Sequence, residues 1–202
     1  MEDIKIDTDI FTTEPIVSLK NYYVDSEETI EFMARICYQS KNRGQKSKEA
    51  LLTALKDNNE SPIEHACATF VIKNVSRNLT HELVRHRLAS FCELSQRYVN
   101  VGNQKVVIPE SIRKNLEAYE IFLDVVEKSM DGYKKLIELG IPKEDARYGL
   151  ISGVTTEIGI TANFREYLHI INLRTSKRAH WEIRKVASEI EKQLHQIAPI
   201  IF

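Results

Sequence analysis

Apolar side chains recur at three- and four-residue steps over several stretches of the chain, which predicts amphipathic helices. The longest stretch starts at Pro109 and runs to Gly140, where a glycine is expected to end the helix. Further helices are predicted over Ser26–Cys37, over Ser47–Lys56, around Ala146, from Asn163 to about Leu173 and near Trp181–Ile197.

Extended segments lie between these helices. The run Cys67–Val75 is rich in β-branched residues and predicts a strand, and a stretch that contains Thr and Ile lies at Val154–Thr161. Glu93–Asn100 is also expected to be extended. Because no repeat, low-complexity tract or Gly/Ser linker interrupts the chain, we predict one α+β, helix-rich domain over residues 1–202.

A further helix is predicted directly after the strand at Cys67–Val75. Ser76 or Asn78 is expected to cap it, and it should run to about Arg87. This prediction places the cationic run Arg85–Arg87 at a helix end, where successive side chains fan out by ~100° and reach more than one ligand.

Composition and charge set limits on the class of protein. A chain of 202 residues that is 43% hydrophobic can bury a single-domain core. No apolar run reaches the ~20 residues of a membrane span, and residues 1–9 lack the features of a signal peptide, so we expect a cytoplasmic protein without membrane contact. The net charge of -1 gives no global reason to bind nucleic acid, so an anion site requires local clusters of Lys and Arg.

Candidate chemistry is concentrated between Arg85 and Tyr98. If Glu93–Tyr98 is extended, Glu93, Ser95 and Arg97 share one face, which then offers an acceptor, a hydroxyl and a cation. A nucleotide needs such groups, since an arginine fork binds phosphate and a carboxylate accepts from a ring nitrogen or a sugar hydroxyl.

The same residues also allow other interpretations. Cations in a last helical turn also stabilise the helix dipole, so Arg85–Arg87 alone would indicate a solvated cap. His81 and His86 are five residues apart and would point ~140° away from each other on a helix, so we predict no metal site. The three cysteines are far apart and indicate reduced thiols, and Cys92 by itself is more typical of a small core residue than of a nucleophile.

The spacing of the cationic run carries a family resemblance. Arg85–Arg87, seven intervening residues and Ser95 resemble the signature of flavin-dependent thymidylate synthases. The likeness extends over nearly all of the chain through the following positions: Ser61-Pro62, Glu64-His65, Glu93-Leu94, Arg97-Tyr98, Ala146-Arg147, Asn163, Arg165, Asn172-Leu173-Arg174, Ala179 and Glu182-Ile183-Arg184.

The resemblance implies a central antiparallel or mixed sheet and two sets of binding residues. The positions that would hold FAD are Ser61, Arg85, His86, Arg87, Glu93, Asn163, Arg165 and His169. The positions that would hold dUMP are Glu82, Arg85, Glu93, Leu94, Ser95, Gln96, Arg97, Arg147 and Arg174. Arg174 and Ser95 would be the catalytic residues, with the guanidinium of Arg174 stabilising an anionic uracil ring.

The reaction implied by the family is the conversion of dUMP to dTMP. Methylenetetrahydrofolate would be the carbon donor, FAD the hydride carrier and NADPH the reductant, in a homotetramer whose active sites lie between subunits. The chain has no glycine-rich phosphate loop, so a pyrophosphate would depend on Arg, His and helix N-termini.

Some positions depart from the family pattern and leave alternatives open. Glu82 stands where the family commonly has Gln, and a carboxylate at ~4 Å from a phosphate would cost on the order of 1 to 4 kcal/mol. The other departures are Asn59 for His, Cys92 for Asn, Ile151 for Pro and His180 for Gln. The alternatives are a flavoenzyme that methylates or hydroxymethylates another pyrimidine nucleotide such as UMP, and, more remotely, a non-enzymatic nucleic-acid-binding module.

Overall fold

The computed structural model describes residues 6–12, 14–41 and 44–202. Six strands are formed there: β1 (Phe11–Thr12), β2 (Ile16–Tyr22), β3 (Cys67–Ser76), β4 (Ser90–Glu93), β5 (Val106–Val107) and β6 (Thr155–Asn163). Eight α-helices accompany them: α1 (Ser26–Tyr38), α2 (Gln45–Asn58), α3 (Arg77–Leu83), α4 (Glu110–Arg113), α5 (Leu116–Glu138), α6 (Lys143–Ala146), α7 (Phe164–Arg174) and α8 (Trp181–Ile197). Short 3-10 helices span Ser61–His65 and Arg147–Gly149.

The strands form two sheets. β1 and β5 pair in parallel, and the larger sheet has the order β2-β3-β6-β4. Within the larger sheet β3 and β6 are antiparallel, because the amide of Phe164 donates to Ala66 at 2.8 Å while that of Arg77 donates to Val154 at 3.3 Å. The predicted helix-rich α+β class is therefore confirmed.

The predicted helix after β3 is shorter than expected. Ser76 caps it, since the amide of Leu79 donates to the Ser76 hydroxyl at 3.1 Å, but it ends at Leu83 and not near Arg87. Leu83 is buried, whereas Val84 is 39% exposed, so no further apolar surface holds the chain helical. Arg85–Arg87 thus lie in a turn beyond the helix, and their predicted placement at a helix end is wrong.

Two other predicted elements also differ from the structure. The segment 94–99 is a turn, in which the amides of Tyr98 and Val99 donate to the Ser95 carbonyl at 3.2 and 3.0 Å, so the extended conformation predicted for Glu93–Asn100 is wrong beyond Glu93. The long helix predicted from Pro109 is divided into α4 and α5. The side chain of Asn115 accepts from the amide of Ala118 at 3.1 Å and starts α5 as a new helix.

The described chain forms two compact units. Unit 1 consists of the described residues up to Ile16 together with Lys73–Glu82 and Glu93–Ile158. Its core joins β1 to α5, because the ring of Phe11 lies 5.8 Å from the rings of both Tyr119 and Phe122.

Unit 2 consists of the described residues of Val17–Ile72 together with Leu83–Cys92 and Gly159–Phe202. The buried Tyr167 of α7 holds this helix against the sheet: its ring meets that of Phe70 at 5.5 Å, and its hydroxyl donates to the carbonyls of Ala68 and Ile160. The single-domain organisation of residues 1–202 stays a prediction. In the part of the chain that the structure describes, no helix has both the length and the apolar character needed to cross a bilayer.

Candidate active site

In unit 2, a cavity of about 880 Å³ lies at the N-terminal end of α7. Asn163 caps this helix, since its side-chain oxygen accepts from the amide of Glu166 at 2.9 Å. Six of the eight residues predicted to hold FAD line the cavity: Arg85, His86, Arg87, Asn163, Arg165 and His169. The turn that ends α3 therefore brings the cationic motif and the start of α7 to one cavity. Its volume lies in the ~300–1,000 Å³ range of cofactor pockets.

The charges that line this cavity are unequally paired. Arg165 is engaged by two carboxylates, with its Nε 3.0 Å from Oε2 of Glu60 and its Nη1 bound to Glu64. Among the described residues, Arg85 and Arg87 have no acidic partner, and both are exposed. These two guanidinium groups give the cavity the character of an anion site.

His86 is the buried member of the motif, with 5% of its surface exposed. Burial lowers the pKa of its imidazole to about 4, and the neighbouring Arg174 and His169 act in the same direction. The Nε of Arg174 donates to Nε2 of His86 at 3.0 Å, and the His169 ring lies 5.7 Å away. Arg174, which is predicted to be catalytic, is therefore hydrogen-bonded to the central histidine of the Arg85–Arg87 motif.

Ser61 does not line the cavity. Its hydroxyl donates to the side-chain oxygen of Asn59 at 2.9 Å, and Glu60 and Glu64 on either side of it are lining residues. The family resemblance assigns a histidine to the position of Asn59, so this hydrogen bond is specific to the residue found here.

In unit 1, a smaller cavity of about 350 Å³ has three basic side chains in its lining, those of Arg77, His81 and Arg147. Two predicted dUMP residues, Gln96 and Arg147, belong to this lining. The Nε of Arg147 donates to the Glu144 carbonyl at 3.1 Å. The cavity therefore offers positive charge and an amide, which suits a small phosphorylated ligand.

Arg77 is a further residue of this site, and the sequence motifs do not predict it. Its Nη1 pairs with the carboxylate of Glu93, and the same nitrogen donates to the Leu94 carbonyl at 3.3 Å and to the Thr156 hydroxyl at 3.4 Å. Arg77 thus fixes Glu93 and Leu94, two of the predicted dUMP residues. No pattern along the chain predicts this contact, because Arg77 is separated from both by more than a dozen residues.

The turn at 94–99 changes the predicted geometry of Ser95 and Arg97. Ser95 accepts from the amide of Arg97 through its hydroxyl at 3.3 Å, as in a serine turn, and Nε of Arg97 donates to Oε2 of Glu144 at 2.9 Å. The predicted shared face of Glu93, Ser95 and Arg97 is therefore wrong, because the chain does not alternate there. Glu82, another predicted dUMP residue, lies in the last turn of α3 and belongs to unit 1, as Ser95 and Arg97 do.

Cys92 is exposed in β4, so its interpretation as a small core residue is wrong. The side chain of Ile151 packs on the cluster around Phe11 in unit 1.

Among the described residues, no group of three or more His, Cys, Asp or Glu is arranged to hold a metal ion.

Comparison with known proteins decides the family. Residues 18–200 match the family model described as thymidylate synthase complementing protein, which covers nearly the whole chain. The chain belongs to this family. Curated relatives named flavin-dependent thymidylate synthase include those of Pyrococcus furiosus, 40% identical over 92% of this chain and 82% of the relative, and of Geobacter sulfurreducens, 35% identical over 92% and 84%. Family membership confirms the resemblance inferred from the motif and the prediction of an enzyme.

Two solved structures show the same fold. A UMP/dUMP methylase, PolB from Streptomyces cacaoi, bound with 5-Br dUMP, superposes with a TM-score of 0.84 at 21% identity and covers 95% of this chain and 94% of its own. The same protein bound with 5-Br UMP gives a TM-score of 0.83 at 23% identity. At these identities the likeness establishes the fold. The alternative functions considered from the sequence gain no support from the family.

Proposed function

We propose that the protein converts dUMP to dTMP, with methylenetetrahydrofolate as carbon donor, FAD as hydride carrier and NADPH as reductant. The observation that carries this proposal is the arrangement in unit 2: the Arg85–Arg87 motif of the thymidylate synthase complementing family lines a cofactor-sized cavity, and Arg174 is bound to its central histidine.

The lining of the larger cavity fits FAD. Arg85, Arg87 and Arg165 supply guanidinium forks for the pyrophosphate, and the N-terminus of α7 adds backbone donors beside Asn163. Arg165 is shared with Glu60 and Glu64, so binding of the pyrophosphate competes with these carboxylates for the same guanidinium. Reduced FAD, when bound, supplies the hydride that completes the methyl group.

The nucleotide is assigned to the dUMP residues that the family resemblance implies. Arg147 and Gln96 line the smaller cavity, and Arg77 holds the segment that carries Glu93 and Leu94 in place. The guanidinium of Arg147 can bind the phosphate with two parallel hydrogen bonds. The proposed set of dUMP residues is completed by Glu82, Arg85, Ser95, Arg97 and Arg174. Arg97 would be released from Glu144 when it binds phosphate.

Arg174 is proposed to activate the uracil ring. C5 of uracil is a poor nucleophile, so an enzyme that forms no thiol adduct must polarise the ring. A guanidinium beside N3 and a carbonyl oxygen stabilises the anionic ring electrostatically. Arginine side chains stay protonated in proteins, so Arg174 is not proposed as the general base.

We also propose that the enzyme is a cytoplasmic homotetramer with active sites between subunits, since the family resemblance implies this assembly. Light scattering of the purified protein should give the mass of four chains. A monomer that still makes dTMP would contradict this part of the proposal.

Product analysis tests the activity. The protein is incubated with FAD, NADPH and methylenetetrahydrofolate, and with dUMP, UMP or dCMP in separate reactions, followed by mass spectrometry. We expect dUMP to gain one CH₂ unit, Arg174→Lys to abolish the gain, and the matched control Arg178→Lys, at an exposed position after α7, to retain it. If dUMP returns unchanged while UMP or dCMP is converted, the proposed substrate is wrong.

A further inference from the structure

His86 lies between a cation and a carboxylate, both of which belong to α7. The Nε of Arg174 donates to Nε2 of the imidazole at 3.0 Å, and Oε1 of Glu166 lies 3.6 Å from Nδ1 on the other side of the ring. At 3.6 Å the second contact is an electrostatic one and not a hydrogen bond. Both His86 and Glu166 are only 5% exposed. The family resemblance assigns roles to His86 and Arg174 but none to Glu166.

The spacing of α7 explains how one helix provides both groups. Glu166, Ile170 and Arg174 follow one another at four-residue steps and therefore share a face, with about 12 Å between the first and the last. Ile170 is buried and anchors this face in the interior of unit 2. The acid stands near the N-terminus of the helix and the cation at its C-terminus, which is the favourable order for the helix dipole.

The contacts define the protonation state of the imidazole. Because Nε2 accepts a hydrogen bond from Arg174, the proton of a neutral ring must be on Nδ1, on the side of Glu166. The lowered pKa of His86, caused by burial and then by Arg174 and His169, keeps the ring neutral at physiological pH. A protonated ring would have no acceptor for Arg174.

We propose that Glu166 is a positioning residue: its carboxylate stabilises the Nδ1–H tautomer of His86 electrostatically, in addition to the hydrogen bond from Arg174, and His86 in turn orients the guanidinium of Arg174 toward its substrate. Glu166 acts through His86 and does not touch the reacting atoms. The orienting role rests on the proposed function, in which Arg174 activates uracil, whereas the tautomer is a property of the chain itself.

Two variants separate charge from packing. Glu166→Gln keeps the shape of the side chain and removes its charge, and Glu166→Asp keeps the charge. Glu120→Gln, on the exposed side of α5, is the matched control. Circular dichroism and thermal unfolding establish which variants fold, and Glu166→Gln is the decisive one because it preserves volume in the buried position.

The first readout is the histidine tautomer, measured by NMR of the full chain labelled with ¹⁵N-histidine, with His86→Gln used to assign the signal. We expect the Nδ1–H tautomer in the wild-type protein, in Glu120→Gln and in Glu166→Asp. In Glu166→Gln only the hydrogen bond from Arg174 favours Nδ1–H, so we expect a mixture in which the Nε2–H tautomer gains population as that contact is partly lost. A wild-type ring that is Nε2–H or protonated at neutral pH overturns the proposal, as does an unchanged tautomer in Glu166→Gln.

The second readout is the rate of dTMP formation. Since an interaction made only in the transition state changes kcat and kcat/KM together, Glu166→Gln should lower both by the same factor, about tenfold or more, with most of the rate kept in Glu166→Asp. A rise in KM for dUMP with unchanged kcat overturns the positioning role. If the wild-type protein makes no dTMP, the proposed function fails and the orienting role fails with it, while the tautomer measurement still decides whether Glu166 controls His86.

Discussion

The burial of His86 makes the stability of the fold depend on pH. Its pKa is lowered to about 4 from 6.5, first by burial and then by Arg174 and His169, so in the folded protein the ring resists protonation that the unfolded chain accepts. The unfolded state therefore binds more protons between about pH 6.5 and 4, and folding stability falls as the pH falls through this window. Above pH 6.5 the ring is neutral in both states and contributes no pH dependence.

The size of this effect follows from the two pKa values. A pKa difference between 6.5 and about 4 corresponds to about 3 kcal/mol of unfolding free energy. As the pH falls to about 5, about 2 kcal/mol of this free energy is lost. Glu166 acts in the opposite sense, because burial raises the pKa of its carboxyl group and the folded state then takes up a proton first. The effect of His86 must therefore be isolated by comparison with a variant that lacks the imidazole.

The perturbation is His86→Asn, and the assay is urea unfolding of the flavin-free chain at about pH 7.5 and about pH 5. We expect the wild-type protein to lose about 2 kcal/mol more unfolding free energy between these two conditions than the variant loses. The constant cost of the substitution cancels in this comparison. If the wild-type protein and the variant lose the same unfolding free energy, or the wild-type protein loses less, the interpretation is refuted. In that case His86 would take up a proton in the folded state at least as readily as in the unfolded chain.

Three further substitutions test particular contacts. Arg165→Ala should raise the Kd for FAD about tenfold or more, because a charge-assisted contact with the pyrophosphate is lost, and Arg165→Lys should raise it less. Fluorescence titration measures the Kd, and an unchanged Kd would contradict the prediction. Arg77→Ala should lower the free energy of unfolding by about 3 kcal/mol, because Glu93 loses its cation. The double variant Arg77→Ala/Glu93→Gln should recover part of this free energy in urea titrations. If the single and double variants lose the same free energy, the ion pair does not stabilise the fold. Gly140→Ala should cost about 1 kcal/mol in thermal unfolding because its φ is 80°, whereas Gly132→Ala inside α5, with nothing near its Cβ, should be neutral or stabilising; the reverse order would contradict both.

Elements with strong local patterns were predicted well from the sequence. The helix α8 has the predicted bounds Trp181–Ile197, because its buried side chains follow one regular helical face. The strand β3 ends one residue later than predicted, at Ser76, and the cap formed by that residue was among the two candidates. In both cases residues close in the chain determine the structure.

The errors occur where distant parts of the chain decide the conformation. The cationic run after Leu83 is compatible with a helical turn or a loop, and the burial that ends at Leu83 is known only from the folded chain. The apolar period continues across the break between α4 and α5, so only the cap formed by Asn115 marks the new helix. The turn at Ser95 likewise follows from its own hydrogen bonds, since residues 93–98 also satisfy the alternation of a strand.

The candidate site shows the same division. The spacing of Arg85–Arg87 and Ser95 predicted the family, and six of the eight proposed FAD residues line one cavity. The contacts of Arg77 with Glu93 and of Glu166 with His86 were not predicted, because the burial and the partner of a charged residue are properties of the tertiary structure.

We propose that the cavity lined by Arg85, Arg87 and Arg165 holds a flavin dinucleotide whose absorption responds to binding of the nucleotide. The most direct test is the visible absorption spectrum of the purified protein, recorded with added FAD and again after addition of dUMP. We predict protein-bound flavin bands that shift when dUMP is added. A colourless protein that takes up no FAD, or a bound flavin whose spectrum dUMP leaves unchanged, would contradict the account.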